Sequence, residues 1–323
     1  MAPFSVASKT CLTYSDNSGV GTYTAALDPE WTIGPARVPN GGYLLGIVIE
    51  ATAHFQSDST HKDPLHLTAH FLRPLSVGLA EVRVRRLRSG QGFTHLSAEL
   101  VQGSEPGVTS HLVYGVIDPG EPPANESFAL RAPAPKARWT PFRMLPSRAV
   151  PLEWPDAVNF HGQILISRDN SVAEHHERLA AGEGPGGVED GRLYELHPGE
   201  HISSSILPVI CDVFPGLLPA AVQGVTLGPN WFPTVTMAIE FKAPIPQGIR
   251  TVGVFAAGRF IENPQGRHEL YTEVWTAPAN ITDRHAQLPD NWREGQRCLA
   301  VAHQMALVAT FQRWDKGSAQ QKL

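Results

Sequence analysis

The chain is poor in cysteine. Its 323 residues include three, Cys11, Cys211 and Cys298, far apart and with no Cys-x-x-Cys pair. An odd, scattered set excludes a disulfide framework and offers zinc no thiolate pair. Long apolar runs are also missing. No stretch approaches the roughly 18 residues that cross a bilayer as a helix, so no membrane contact is expected. Basic residues are not in surplus: 26 Lys and Arg face 31 Asp and Glu, for a net charge of −5 and a pI near 6.3. Nothing in that balance favours nucleic acid. The first residues, Met1 to Lys9, lack both the basic leader and the apolar stretch of a secretory signal. A cytoplasmic protein is the expectation. The last three residues, Gln321-Lys322-Leu323, match a peroxisomal Ser-Lys-Leu address at two of three positions. Without a leader, the glycosylation acceptors at Asn125 and Asn280 read as chance matches.

Several catalytic signatures are absent as well. There is no Gly-x-Ser-x-Gly elbow, no Gly-x-Gly-x-x-Gly after a strand and no His-Glu-x-x-His. Gly182–Gly187 lacks the Gly-Lys-Ser/Thr ending of a phosphate loop. His175-His176 lies in a polar stretch and reads as solvated surface rather than as a metal site. No cofactor and no metal ion are expected.

What is present is a repeat. His70-Phe71-Leu72-Arg73-Pro74-Leu75 and Glu240-Phe241-Lys242-Ala243-Pro244-Ile245 are two Phe-x-x-Pro segments, 170 residues apart. Each closes an alternating, strand-like run, and each run follows an apolar segment of helical spacing. The first helix is predicted over 40–56, with Asn40 as N-cap, and the second over 203–214, with Pro208 in its first turns and Phe214-Pro215-Gly216 at its end. Strands are predicted at 65–71, 80–87, 92–101 and 107–117, then at 233–244, 250–261, 268–277 and 297–313. A helix followed by several antiparallel strands allows a sheet to wrap one central helix. The repeat therefore predicts two similar domains, 1–118 and 156–316, whose sheets form one continuous surface with both helices inside, with a Pro/Ala/Arg-rich connector at 119–155, a tail at 317–323, and a site between the copies. Residues 278–296 read as a long polar loop.

Asp212 stands at the end of the apolar run Ile206–Cys211. A carboxylate there is costly unless paired or functional; a polar helix end bonded to a backbone amide explains it equally well. Thr234 and Thr236 lie two apart on a strand and should share a face, opposite Val235, Met237, Ile239 and Phe241, although threonine in a strand is ordinary. Gln304 sits among apolar residues and needs partners for its amide, as a structural crosslink or as a group that positions water. Glu50 aligns internally with Asp212. Gly41-Gly42 opens the first helix, where a backbone amide can approach a ligand closely and where negative charge is favoured. Close packing of the helix accounts for two glycines just as well.

With these residues in view, the chain resembles the type II acyl-CoA thioesterases. The resemblance rests on Trp31, Asn40-Gly41-Gly42-Tyr43-Leu44-Leu45-Gly46, Leu65–Pro74 and Arg86–Phe93 in the first half. In the second half it rests on Cys211-Asp212-Val213-Phe214, Pro233–Phe241 and Ala302–Leu307. It implies an α+β double hot-dog, with two antiparallel sheets each wrapped around a central helix. It also implies hydrolysis of an acyl-CoA or carrier-bound thioester by water held on Asp212, Thr234 and Gln304. Gly41, Gly42, Tyr43, Thr236 and Arg73 would contact the substrate, with Arg86 and Arg88 as further candidates for the coenzyme A phosphates. A homo-oligomer is compatible with the family. The chain departs from it at Glu240-Phe241-Lys242, where aromatic and basic residues are usual, and in the 278–296 insertion, which is placed to reshape the acyl pocket. Two rivals remain open at this level. One is a hot-dog dehydratase, hydratase or cyclase using His66 or His70 with Glu50 or Asp212; the other is a non-catalytic acyl-binding protein.

Overall fold

The structure, a computed structural model, describes residues 2–16, 18–118, 150–168, 188–213, 230–260, 266–283, 285–288, 290 and 292–310. Three helices are described: a single turn, α1 (Phe4–Ala7), the long α2 (Gly41–Phe55) and the short α3 (Leu207–Asp212). The main strands are β1 (Thr10–Ser15), β2 (Val20–Leu27), β3 (Asp63–Phe71), β4 (Gly78–Ser89), β5 (Thr94–Gln102), β6 (Glu105–Gly115), β7 (Val150–Leu152), β8 (Ile164–Arg168), β9 (Val188–Leu196), β10 (Thr234–Phe241), β11 (Thr251–Phe260), β12 (His268–Thr276) and β13 (Cys298–Ala306).

These strands do not form two sheets. They form one antiparallel sheet of 13 strands in the order β1-β2-β4-β5-β6-β3-β10-β13-β12-β11-β9-β8-β7. The expectation of two sheets, one around each helix, is corrected to one: β3 and β10 pair directly, from His70 opposite Thr236 to His66 opposite Glu240, so the backbone ladder runs unbroken through the middle. Pairing there removes two edges that would otherwise stay open. Read outward from that join, the order is the same in both directions: β3, β6, β5, β4, β2, β1 on one side and β10, β13, β12, β11, β9, β8 on the other.

Asn40 starts α2 by accepting the Tyr43 N–H on its side-chain oxygen at 2.9 Å, the ordinary bond of an N-cap. Ten of the helix's residues are buried, as its broad apolar coverage requires. α2 packs against α3 and against the inner face of the sheet. Two glycines allow α2 its close approaches. A Cβ on Gly42 would lie 2.4 Å from the Pro208 carbonyl oxygen, and one on Gly46 would lie 2.5 Å from that of Ser205. Gly42 thus lets α2 pack closely on α3, and Gly46 lets it pack on the turn before α3 and on the Phe4 ring; neither close approach is to the sheet.

The helix expected over 203–214 is shorter than its apolar pattern suggested. Ser204–Ile206 form a turn and α3 begins at Leu207, with Pro208 in its first turn. Phe214-Pro215-Gly216 lie outside the described residues, as do Gly182–Gly187, His175-His176, most of the connector and the 317–323 tail. Within the expected connector, Val150–Leu152 are strand β7, paired with β8.

The start of the 278–296 insertion is held on the outer face of the sheet rather than beside the acyl pocket expected of it. Its anchor is Glu195, which alternates with the core residues Tyr194 and Leu196 and so faces outward. Glu195 accepts from the Thr282 N–H at 2.9 Å and the Thr282 hydroxyl at 2.6 Å, and pairs with Arg250. Thr251 donates to Asn280 at 2.8 Å. Residues 280–282 therefore lie on the outside of the second half. No described helix is long and apolar enough to cross a membrane.

Candidate active site

Asp212 ends α3 with its carboxylate at the N-terminus of α2. Oδ2 accepts two hydrogen bonds, from the Gly42 N–H and from Asn40 Nδ2, each at 2.9 Å. The first N–H groups of a helix have no partner within it and carry its positive end. An anion from the second half is thus held by a helix of the first. Oδ1 accepts from the Thr234 hydroxyl at 2.9 Å. Thr234 Oγ1 also lies 3.2 Å from Gln304 Oε1. Gln304 is buried, and its Nε2 donates to the Cys211 carbonyl. That bond fixes the amide's orientation, because only the NH2 end can donate.

Thr234 reaches this cluster because β10 is bulged. The ladder with β13 pairs Met237 with Gln304, Thr236 with Met305 and Thr234 with Ala306, so β10 has one residue more than its partner. Paired residues share a face. Gln304 and Ala306 point inward and are buried, so Thr234 and Met237 point inward and Thr236 points out. The expectation that Thr234 and Thr236 share a face is corrected, and Thr236 is not brought to the site. Bulges re-aim side chains in this way beside functional centres.

Other expected contacts fall elsewhere. The Arg73 guanidinium is held at the β5–β6 hairpin by the carbonyls of Gln102 and Glu105, both at 2.7 Å. Arg86 stacks over Phe55, 5.4 Å from its centroid, at the far end of α2 from Gly41. The Tyr43 ring is fully buried among Phe4 and Trp31, and its hydroxyl donates to the Ala7 carbonyl at 2.7 Å. Burial lifts that hydroxyl to about 12, which marks a core residue. Gly41 is at the cluster: a Cβ there would stand 3.2 Å from Asp212 Oδ2 and 3.2 Å from the Phe71 ring. His66 and His70 alternate with the buried Leu67 and Ala69 and lie on the outer face, across the sheet from Asp212.

The electrostatics are those of a carboxylate taken out of water. Burial raises the Asp212 pKa, and the donors Gly42, Thr234 and Asn40 pull it back. Burial also raises the thiols of Cys211 and Cys298, the latter to about 12, so neither supplies a thiolate at neutral pH. Among the described residues no group of three His, Cys, Asp or Glu is placed to hold a metal ion.

Sequence reasoning missed two features. It treated Asn40 only as a helix cap, and nothing in the sequence signals the bulge at Val235. The expectation that the Gly41-Gly42 amides are open to a ligand also needs revision. The Gly42 N–H is committed to Asp212, the Tyr43 N–H to Asn40 Oδ1 and the Leu44 N–H to the Asn40 carbonyl at 3.1 Å. Of the first-turn donors, Gly41 N–H makes no hydrogen bond to a described residue.

Residues 27–115 match the model of the acyl-CoA thioesterase N-terminal domain. A stretch of 81 residues is 38% identical to the ustilagic acid biosynthesis cluster protein orf2 of Mycosarcoma maydis, covering 25% of this chain and 21% of that protein. The match thus spans about a fifth of that relative's length. Among solved structures, a proposed thioesterase II from Thermobifida fusca superposes with a TM-score of 0.66 at 21% identity, covering 96% of this chain and 98% of the other. A hot-dog protein of unknown function from Alicyclobacillus acidocaldarius gives 0.65 at 16% identity, covering 95% and 98%. An acyl-CoA thioesterase II from Mycobacterium marinum gives 0.56 at 13% identity, covering 93% and 96%. The hot-dog fold is shared along nearly the whole chain. The resemblance read from the sequence is borne out: the family model matches within its first half.

Proposed function

We propose that the chain hydrolyses acyl thioesters, coenzyme A-bound or carrier-bound, with a water molecule activated by Asp212. One observation carries this reading. From the described residues, Asp212 Oδ2 accepts two hydrogen bonds and Oδ1 one. Since each carboxylate oxygen has two lone pairs, the remaining one is on Oδ1, beside Thr234 Oγ1 and Gln304 Oε1. The Thr234 hydroxyl has a single proton, so it cannot satisfy both oxygens it approaches. A water molecule donating to Oδ1 and to Oε1 would complete the set, with its oxygen free to attack.

In this reading the water oxygen bonds to the thioester carbon while its proton passes to Asp212 Oδ1. The carbonyl oxygen gains charge and is received by the Gly41 N–H at the positive end of α2. The tetrahedral intermediate collapses, the carbon–sulfur bond breaks, and the thiolate takes the proton back from Asp212. The products are a carboxylic acid and a free thiol. No covalent intermediate is needed.

We read the chain as two fused hot-dog units, 1–118 and 156–316, which share one sheet and one working site. The dehydratase or cyclase alternative loses its acid–base pair, because His66 and His70 lie on the outer face. A panel of acyl-CoA esters of graded chain length, followed by release of free thiol, tests the proposal. Turnover of at least one ester supports it. No turnover across the panel, with carrier-bound esters included, removes it.

A further inference from the structure

Asn40 uses both ends of its amide. Oδ1 accepts the Tyr43 N–H and Nδ2 donates to Asp212 Oδ2, each at 2.9 Å, and the residue is buried. The orientation is unambiguous. Turned over, the amide would present an oxygen to a carboxylate and an NH2 to an N–H, losing two bonds and creating two repulsions. Helix capping alone does not require this residue, since Ser, Thr, Asp and Asn all cap well. Of these, Asn accepts the helix N–H on one atom and offers an N–H from a second, at the reach seen here. Asp would cap equally but set a second negative charge against Asp212.

We propose that Asn40 is a positioning residue that fixes the rotation and the ionised state of the Asp212 carboxylate. With Gly42 it occupies both lone pairs of Oδ2, which leaves Oδ1 as the oxygen presented to water. The base of one half is thus tuned by the helix cap of the other. The inference rests on the reading of Asp212 as the base. The groups that face Asp212 are Asn40, Gly41 and Gly42 from α2, Phe71 from β3 and Thr234 from β10, with Gln304 of β13 behind Thr234. The titratable neighbour is the Cys211 thiol, which burial keeps protonated. No other charged side chain among the described residues bears on Asp212.

Two variants that keep the cap test the idea in the full chain. In Asn40→Asp the two carboxylates titrate as a pair. The acid limb of kcat/KM should then move to higher pH by about one unit or more, the usual effect of an adjacent like charge. Asn40→Ser keeps an N-cap oxygen but withdraws the donor, so its acid limb should move the same way by less. In both, kcat should fall with KM little changed, and circular dichroism should show a folded protein at the assay temperature. Carboxyl-carbon NMR of Asp212, assigned with Asp212→Asn, gives a readout that needs no turnover. It should show the same upward shift, so it separates failure of this inference from failure of the thioesterase reading. An unmoved Asp212 titration in folded Asn40→Asp overturns the inference. So does a loss of activity in Asn40→Ser that follows loss of fold with no change in the pH profile.

Discussion

Pro64 and Thr234 lie 170 residues apart at the same point of two equivalent strands, each next to a β-bulge that ends at His66 in one case and at Thr236 in the other. The bulge belongs to both halves; the hydroxyl belongs to one. Further along the same strands, Leu67 pairs with Leu112 where Met237 pairs with Gln304. The first half therefore carries the backbone geometry of the cluster without its polar groups. Glu50→Gln is expected to leave kcat/KM within about twofold of wild type, since the first half offers no partner to work with it. A steady-state comparison on any turned-over ester decides. Loss of activity in Glu50→Gln, with Asp212→Asn still active, would reverse the assignment of the working half.

If Asp212 is the base, Asp212→Asn removes it and keeps the shape. The rate should fall by roughly 10²–10⁴, the usual contribution of general acid–base catalysis. In the wild type, burial raises the Asp212 pKa, and the base must be ionised. Activity should therefore fall as pH drops through a value above the ordinary carboxylate pKa of about 3.9. The stability effect has the opposite sense. A carboxyl whose pKa is raised on folding contributes stability at low pH that is lost as pH rises through the folded value. The Asn variant should lack that dependence, which is measurable from melting temperatures across the acid range.

Thr234→Val and Gln304→Ala should each cost less than Asp212→Asn, because each places the water without taking its proton. Their losses should not add to that of Asp212→Asn, since groups that act as a unit are strongly non-additive. A double-mutant cycle on kcat is the measurement, with circular dichroism to confirm folding, because an orphaned buried amide destabilises in its own right. Full additivity would mean that the three do not share one water.

Much of this was legible in the sequence, and the reasons are specific. The Phe-x-x-Pro repeat exposed the duplication because each half needs the same strand end. Asp212 and Gln304 stood out because polar groups in apolar runs must be explained. The direct β3–β10 pairing was not legible, because it joins segments from opposite halves and leaves no local pattern. The bulge at Val235 hid the face of Thr234, since alternation assumes two residues per repeat and one extra residue reverses everything before it. The hold on Arg73 by the carbonyls of Gln102 and Glu105 was not legible, because charge alone does not say which hairpin receives a guanidinium. The length of 278–296 suggested a role in the acyl pocket, whereas its anchor on Glu195 lies on the other side of the sheet.

That anchor makes a separate prediction. Thr282→Val removes the hydroxyl that donates to Glu195 while keeping the side chain's shape. It should loosen residues 280–283, read as faster amide hydrogen exchange there. The order of preference among acyl chain lengths should not change, because residues 280–282 lie on the outside of the second half. A changed chain-length preference would return the loop to the pocket.

The helix contact gives the sharpest distinction between packing and chemistry. Gly42→Ala and Gly46→Ala insert the same methyl group against the carbonyl oxygens of Pro208 in α3 and Ser205 in the turn before it. Overpacking of this kind costs about 1–3 kcal/mol, so both variants should melt earlier by comparable amounts. Their effects on turnover should differ. Gly42 gives its N–H to Asp212, and pushing the helices apart at that point lengthens the bond and turns the carboxylate. Gly46 is one helical turn further along and makes no such bond. Gly42→Ala should therefore lose kcat at a temperature where both variants are fully folded, while Gly46→Ala should retain it. If the two lose activity equally at that temperature, spacing of the helices alone limits the rate, and the hold of α2 on Asp212 is not part of catalysis.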